Sequence, residues 1–471
     1  MSDVLIVDGA RTPMGGLLGD LADATANELG TTAIAATLER AGVAPEAVDE
    51  VFMGCVLPAG LKQCPARQAM LAAGIPSTTG AVTINKACGS GMQATIFGID
   101  SIAAGTNQLV VSGGLESMSN APQILMTGRK GQRLGHTKLF DHMFIDGLED
   151  AYTGAAMGTF AQKTADAHNL RREDMDAFAI ESLTRAQRAI DEGLNAQEIA
   201  PVTIRTRRGE HTVSVDEQPH KANLEKIPQL RPAFAEGGTI TPANSSSISD
   251  GASALLLASE DAVASHGLKP RARVVAHARN SLAPEDFTLA PIGAAGQVMA
   301  KAGWSASDVD LWEINEAFAM VTMLTTRALD LDPACVNVHG GACAQGHPIG
   351  STGSRIIVTL MHALEHYGKQ RGVAALCIGG GEATAVAIEL VAQVNDGTDH
   401  VQPLHVELGG RLVLHDRLGV VLQEVGGDVS KREKVSSAAQ SVRGGGGFKV
   451  STVLSTYDSK SKAKIARNRV V

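Results

Sequence analysis

The sequence predicts a layered α/β protein made of two copies of one α/β domain (α-β-α-β-α), with a loop domain inserted between them. Three observations predict it. Short β-branched runs alternate with helical patterns, as in a parallel or mixed sheet covered by helices. Three landmarks recur in the same order, the mark of duplication. The chain holds 51 Gly and only 3% aromatic residues among 471, which suits closely packed backbones. That length exceeds one ordinary core. The 44% hydrophobic and 19% charged content is that of a globular protein, and a net charge of −9 argues against a nucleic-acid-binding core.

The first landmark is the strand opening at Val4–Val7 and running to Arg11, which matches Arg273–Arg279. The second is Ala41-Gly42-Val43 followed by Val48-Asp49 and a strand at Val51–Met53; it matches Ala302-Gly303-Trp304, Val309-Asp310 and Leu311–Ile314. The third aligns Leu109–Gly114 and Glu116 with Leu376–Gly381 and Glu382. Helices are expected at Thr31–Ala41, with Gly42 as its C-cap, and at Met92–Ala104 and Ile356–Leu364, each opened by a Gly-rich turn. These signals divide the chain into a first half (residues 1–119, completed by 244–270), an inserted loop domain (120–243) containing a helix at Arg172–Glu192, and a second half (271–393). Residues 394–471 form an atypical basic extension: Val401–Gln423 reads as a hairpin, and the run with Lys460, Lys462, Lys464, Arg467 and Arg469 reads as a solvated flexible tail or a polyanion-binding arm.

Four blocks carry residues suited to chemistry. Cys88, in Asn85-Lys86-Ala87-Cys88-Gly89-Ser90-Gly91, stands between a strand and a helix. A helix N-terminus favours a thiolate there, although an inert cysteine at a tight turn reads the same way. His347, in Gly340-Gly341-Ala342-Cys343-Ala344-Gln345-Gly346-His347-Pro348, sits in a glycine-dense loop that suits a general base for a thiol. Cys377 ends a strand before Gly379-Gly380-Gly381; it is either a core cysteine or a neighbour of N–H groups that stabilise an oxyanion. Asn315, in Glu313-Ile314-Asn315-Glu316-Ala317-Phe318, is a helix cap or a site amide.

Together the four blocks resemble the thiolase family, over about residues 1–393. The family pattern pairs a C-G-S-G turn, an N-E-A-F motif, a G-G-A…G-H-P-x-G loop and a C-x-G-G-G strand, and all four stand here in order. The resemblance implies that Cys88 takes an acyl group from a coenzyme A thioester while His347 withdraws its proton. Cys377 would remove the α proton of a second acyl-CoA. One oxyanion hole would use His347 with a water held by Asn315, the other the N–H groups of Cys88 and Gly379. Leu148, Met157, Phe234, Ser246 and Phe318 fall where the family lines its pantetheine and acyl pocket. Several positions depart from the pattern: Ala156 where short-chain members often have His, His220 where Arg is commoner, Asn244-Ser245-Ser246-Ser247, and Glu382-Ala383-Thr384. Ala156 removes bulk near the acyl end, so chains longer than four carbons are expected to be tolerated.

The implied activity is Claisen condensation or thiolytic cleavage of 3-oxoacyl-CoA, in the setting of fatty acid metabolism. Two rivals are a ketoacyl-synthase-like enzyme, whose second cysteine position would be histidine, and a non-catalytic acyl-CoA or lipid-binding relative. No metal or resident cofactor is expected, since coenzyme A is a substrate and no C-x-x-C pair exists. The six cysteines suit a reducing, cytoplasmic setting. No signal peptide, membrane partner or nucleic-acid partner is expected for the core, and a homotetramer is.

Overall fold

The computed structural model describes residues 3–207 and 209–391, and the strands at 406–408, 411–416 and 419–423. The chain divides into two compact units, Met1–Gln393 and Val394–Val471.

In the larger unit the first half supplies strands β1 (Val4–Arg11), β2 (Glu50–Gly54), β3 (Gly80–Ile84), β4 (Leu109–Ser117) and β5 (Ser249–Ser259). The second half supplies β6 (Ala272–Ser281), β7 (Leu311–Ile314), β8 (Arg371–Ile378) and β9 (Glu382–Leu390). They run in the order β7-β8-β9-β6-β1-β5-β4-β2-β3 within a ten-stranded sheet completed by Gly15–Gly16 beside β5. Each half repeats one pattern outward from the β1–β6 junction: two antiparallel neighbours, then a parallel one. Even the outermost pairing recurs, because β2 pairs with β3 in parallel and Trp312 of β7 bridges Val336 in parallel.

Details of register confirm the duplication. β1 slips between Ile6 and Asp8 against β5, and β6 slips between Val274 and Ala276 against β9. Asp49 accepts the N–H groups of Gln108 and Leu109, and Asp310 does the same for Gln370 and Arg371. This pairing corrects the third landmark. Leu109 corresponds to Arg371, so the residue of the first half equivalent to Cys377 is Leu115, and the similar Gly-rich stretches are offset from one another. Composition alone hid the five-residue shift, because both strands end in small residues.

Helices separate and cover the strands: α1 (Ala26–Ala41), α2 (Ser90–Ala103), α3 (Met157–Ala167), α4 (Arg172–Asp191), α5 (Ala290–Ala302), α6 (Ala319–Ala328) and α7 (Thr352–His366). Side-chain alternation along the strands builds the layers. Val111 and Leu256 face one core with α1, while the adjacent Val110 and Leu257 face a central core with α2, α7 and Leu376 and Val386 of the second half. Val373 and Ala385 turn the other way, toward α5. The result is the expected α-β-α-β-α stack. Both β4 and β5 are buried along their whole length and are mostly small or apolar, as strands covered on both faces are, with Glu116 and Asp250 as charged exceptions.

α1 begins earlier than its apolar pattern suggested, because Thr25 and Glu28 form a capping box; Gly42 closes it at φ 65. α7 is buried almost all round and so belongs to the middle layer. Between β4 and β5 the chain forms α3, α4, a hairpin of Val202–Thr206 with Gly209–Val213, and several short turns. No described helix is long and apolar enough to cross a membrane.

In the smaller unit Val406–Leu408, Arg411–Asp416 and Gly419–Gln423 pair antiparallel in sequence order, one strand more than the expected hairpin. The expected basic tail lies outside the described residues.

Candidate active site

The site forms where two helix N-termini converge. α2 and α7 occupy equivalent places in the two halves and meet at a glycine from each. A methyl on Gly91 would lie 2.9 Å from the backbone N of Ser354, and one on Gly353 would overlap the backbone of Met92. Only glycine permits that approach. The loops that open the two helices are therefore forced together. A methyl on Gly54 would stand 2.6 Å from Gly91 N and 2.7 Å from Gly350 O, so the Cys88 turn and the His347 loop share one wall.

Cys88 follows Ala87, a non-glycine residue held at φ 43. The turn is locked by Ser90, whose Oγ accepts the Lys86 N–H at 2.8 Å and donates to Ala87 O at 2.7 Å. The sulfur is half-buried and packs beside Val56, Leu57, Met118, Leu148 and Ile349. The backbone N–H groups of Gly379 and of Cys88 itself point at it. Burial nevertheless pushes the thiol up, and the charge of Glu116 pushes the same way. The helix N-terminus thus does not make a resting thiolate, contrary to the sequence reading; desolvation outweighs it.

His347 is nearly fully buried. Its Nδ1 lies 2.7 Å from Thr352 Oγ1. That hydroxyl donates to Pro348 O at 3.0 Å, so it accepts from the ring, which fixes the proton on Nδ1. Nε2 is then a buried lone pair without a hydrogen-bond partner among the described residues. Burial, helped by the Arg355 charge, holds the imidazole's pKa down at about 3. A neutral, oriented histidine with a free Nε2 is the form a general base requires.

Cys377 ends β8 and is fully buried. Burial pushes its thiol far up, and the neighbouring Cys88 adds to the effect. Beyond it the chain turns through Gly380 and Gly381 at φ 94 and 93, which aims the Gly379 N–H at Cys88. Asn315 leaves β7 with its N–H on Ala375 O at 2.9 Å. Its amide is buried, with neither N nor O paired among the described residues. The cap of α6 is Phe318, so Asn315 is not a helix cap.

The remaining expected residues fall around these groups. Leu148 joins the cluster that holds Cys88. Met157 and Phe234 join one that holds Phe318 and Cys377. Met157 Sδ comes within 3.3 Å of a methyl placed on Gly379, and Phe234 meets Phe318 edge-on at 6.1 Å. Ser246 faces the loop before Phe318, its N–H and Oγ both donating to Ala317 O. Ala156 is the N-cap of α3 without a side-chain bond. His220 is a surface partner of Asp191 at 3.3 Å.

Three acidic groups escaped the sequence reading. Glu382 is ion-paired with Lys86, two residues before Cys88. Buried Glu316 accepts from Ser182 Oγ and Asn337 Nδ2 at 2.8 Å and from the Cys343 N–H at 3.0 Å, stitching β7 to the His347 loop. Buried Glu116 reaches the Cys88 wall. Glu316 was visible beside Asn315 in its motif; the other two stood out only as landmarks of the repeat, with no sign of a role at the site.

This architecture and site define the class. Residues 4–261 match the family model "Thiolase, N-terminal domain" and residues 268–390 match "Thiolase, C-terminal domain". The chain belongs to the thiolase family and is an acyltransferase. It is 46% identical over 392 residues to an acetyl-CoA acetyltransferase of Schizosaccharomyces pombe, covering 83% of this chain and 99% of the relative. It is 43% identical over 391 residues to the mitochondrial acetyl-CoA acetyltransferase of Rattus norvegicus, covering 83% and 91%. Among solved structures, a thiolase from Ascaris suum in complex with coenzyme A superposes with TM-score 0.78 at 41% identity, covering 83% of this chain and all of that one. The acetyl-CoA acetyltransferase of Bacillus anthracis gives 0.81 at 39%, covering 83% and 99%.

Proposed function

We propose that this enzyme interconverts two acetyl-CoA with acetoacetyl-CoA and coenzyme A, and cleaves longer 3-oxoacyl-CoA by the same route. The observation that carries the reading is the convergence on the Cys88 sulfur of two backbone N–H groups and a second thiol, Cys377. In cleavage, Nε2 of His347 takes the Cys88 proton and the sulfur attacks the 3-oxo carbon. The bond between C2 and C3 breaks, its electron pair goes to C2, and Cys377 protonates that carbon. Coenzyme A then takes the acyl group from Cys88: its thiol proton restores Cys377, and His347 returns its proton to the departing Cys88 sulfur. Condensation runs these steps in reverse.

Both thiols rest protonated, so the reaction depends on proton transfer rather than a preformed thiolate. That is why a neutral histidine matters. The N–H groups of Cys88 and Gly379 stabilise the thioester oxyanion when an acyl group occupies the sulfur, and they need no reorganisation to do so. The unpaired amide of Asn315 suits a water that, with His347, stabilises the enolate oxygen. Coenzyme A binding is supported by the Ascaris suum complex, with Leu148, Met157, Phe234, Ser246 and Phe318 lining the acyl and pantetheine path. Self-association, to a tetramer, is supported by β3, a sheet edge among the described residues with Val82 exposed. A cytoplasmic place in fatty acid metabolism completes the proposal, and no resident cofactor is required.

The test is intact-protein mass spectrometry after mixing with acetyl-CoA. An acetyl adduct should map to Cys88 and vanish in Cys88→Ser. A folded protein that binds coenzyme A yet forms no adduct would overturn the acyl-enzyme and favour a binding protein.

A further inference from the structure

We propose, resting on the acyl-transfer reading above, that Glu116 is a positioning residue: its carboxylate clamps the wall of the Cys88 sulfur and the loop carrying His347 into one geometry. Glu116 lies on β4 opposite Gly251 of β5. On the other side β2 stops pairing with β4 at Gly54 and Gly114. The chain leaving β2 would expose its next N–H groups inside the protein, and the Glu116 side chain takes the place of the missing strand. Oε2 accepts the Val56 N–H at 3.0 Å and Oε1 the Leu57 N–H at 3.1 Å. The Cys55 thiol points at Oε1 from 3.8 Å.

The third N–H comes from the second half. Gly350, three residues past His347, turns its backbone N–H toward the carboxylate. The contact is tight, since a methyl on Gly350 would sit 2.5 Å from Oε2. Val56, Leu57 and Ile349, all adjacent to these donors, pack in the cluster that holds Cys88. One side chain therefore joins the wall of the nucleophile to the loop of the base.

Every group facing the carboxylate is a donor, and only an ionised carboxylate is acceptor-only at both oxygens. The protein keeps this group although burial pushes its pKa up to about 7, and although its charge makes Cys88 harder to ionise. Cys55 and Cys88 are the titratable groups that face it. In either orientation an amide here would turn its NH₂ against at least one of these N–H donors, which a carboxylate does not.

The test uses the full chain as wild type, Glu116→Gln and Glu116→Asp. It measures the rate of Cys88 acetylation by acetyl-CoA, kcat and KM for acetoacetyl-CoA cleavage, and thermal melting. In Glu116→Gln, acetylation and kcat should fall together by roughly tenfold or more while KM stays within about threefold. Glu116→Asp, charged but one methylene short, should fall between. A folded Glu116→Gln with wild-type kcat overturns the proposal. So does a loss that merely tracks the unfolded fraction or appears as a raised KM. Should Glu116→Gln not fold, Glu116→Asp decides: kcat lowered at least about threefold with KM unmoved supports the clamp, and wild-type kcat overturns it. A wild type that never acetylates Cys88 overturns the acyl-transfer reading and the clamp together; acetylation equal in wild type and Glu116→Gln overturns the clamp alone.

Discussion

In the first half the chain passes from β3 to α2 through Asn85–Gly89, one tight turn locked by Ser90. In the second half the equivalent passage, from the Val336 bridge to α7, is a long glycine-dense loop with a helical turn of its own at Ala342–Gln345. The short turn leaves its residue no freedom: Ala87 is driven to positive φ and the sulfur is aimed by the backbone. The long loop is aimed by side chains, with Thr352 orienting His347 and Glu316 holding Cys343. Duplication supplied two converging helix N-termini. Divergence of their loops made one a nucleophile and the other a base. Corresponding positions elsewhere diverge as well, with Leu115 where the second half has Cys377.

The comparison breaks hardest if either loop loses its functional group. Cys88→Ala should abolish acetylation, and His347→Gln should cut kcat by about 10²–10⁴-fold, the usual worth of a general base. Both are read by acetoacetyl-CoA cleavage. Equal activity in His347→Gln and wild type would remove the second loop from the chemistry.

The shared crossing of α2 and α7 is the next point of attack. Gly353→Ala drives a methyl onto the Met92 backbone, which cannot yield, so urea unfolding should show a loss of about 3 kcal/mol. Gly91→Ala comes no nearer to backbone than 2.9 Å, at Ser354 N, against 2.3 Å from Met92 N for Gly353→Ala, so its loss should be smaller. The reverse order would mean that the halves do not pack as equivalents.

The long loop also carries a cost with no counterpart in the short turn. His339 is buried with both ring nitrogens unpaired among the described residues, and burial lowers its pKa from 6.5 to about 4. Below pH 6.5 the unfolded chain takes up a proton that the folded protein refuses. This contribution to stability is therefore intact above pH 6.5 and declines as pH falls toward 4. Between pH 7 and 5 the loss from this group should reach about 2 kcal/mol, at 1.36 kcal/mol per pH unit. His339→Asn should lose that much less than wild type in melts at the two pH values.

The smallest effect concerns the acyl end. Wild type should cleave 3-oxoacyl-CoA longer than four carbons, and Ala156→His should narrow that range by a few-fold, about 1 kcal/mol. Strict confinement of the wild type to acetoacetyl-CoA would sink the expectation.

Much of this was legible in the amino-acid order. Strand–helix alternation, the repeated strands and Gly42 are local signals, because period and capping depend on neighbours in the chain. Cys88, His347 and Cys377 stood out because each stands near glycines that ordinary core positions do not need, and Asn315 because of the motif around it. Other features required the folded molecule. The true equivalent of Cys377 needed the β7–β8 pairing, since small residues look alike at several registers. The raised thiol of Cys88 needed its burial, and desolvation depends on what packs nearby rather than on what adjoins in sequence. Glu116 read only as a landmark of the repeat. Its partners at Val56, Leu57 and Gly350 come from both halves, and only tertiary structure brings them to one carboxylate. By itself the sequence determined which side chains were present for the chemistry and on which turns they stand. Tertiary structure decided their protonation and their approach to one another, because burial and the meeting of the two halves depend on residues far apart in the chain.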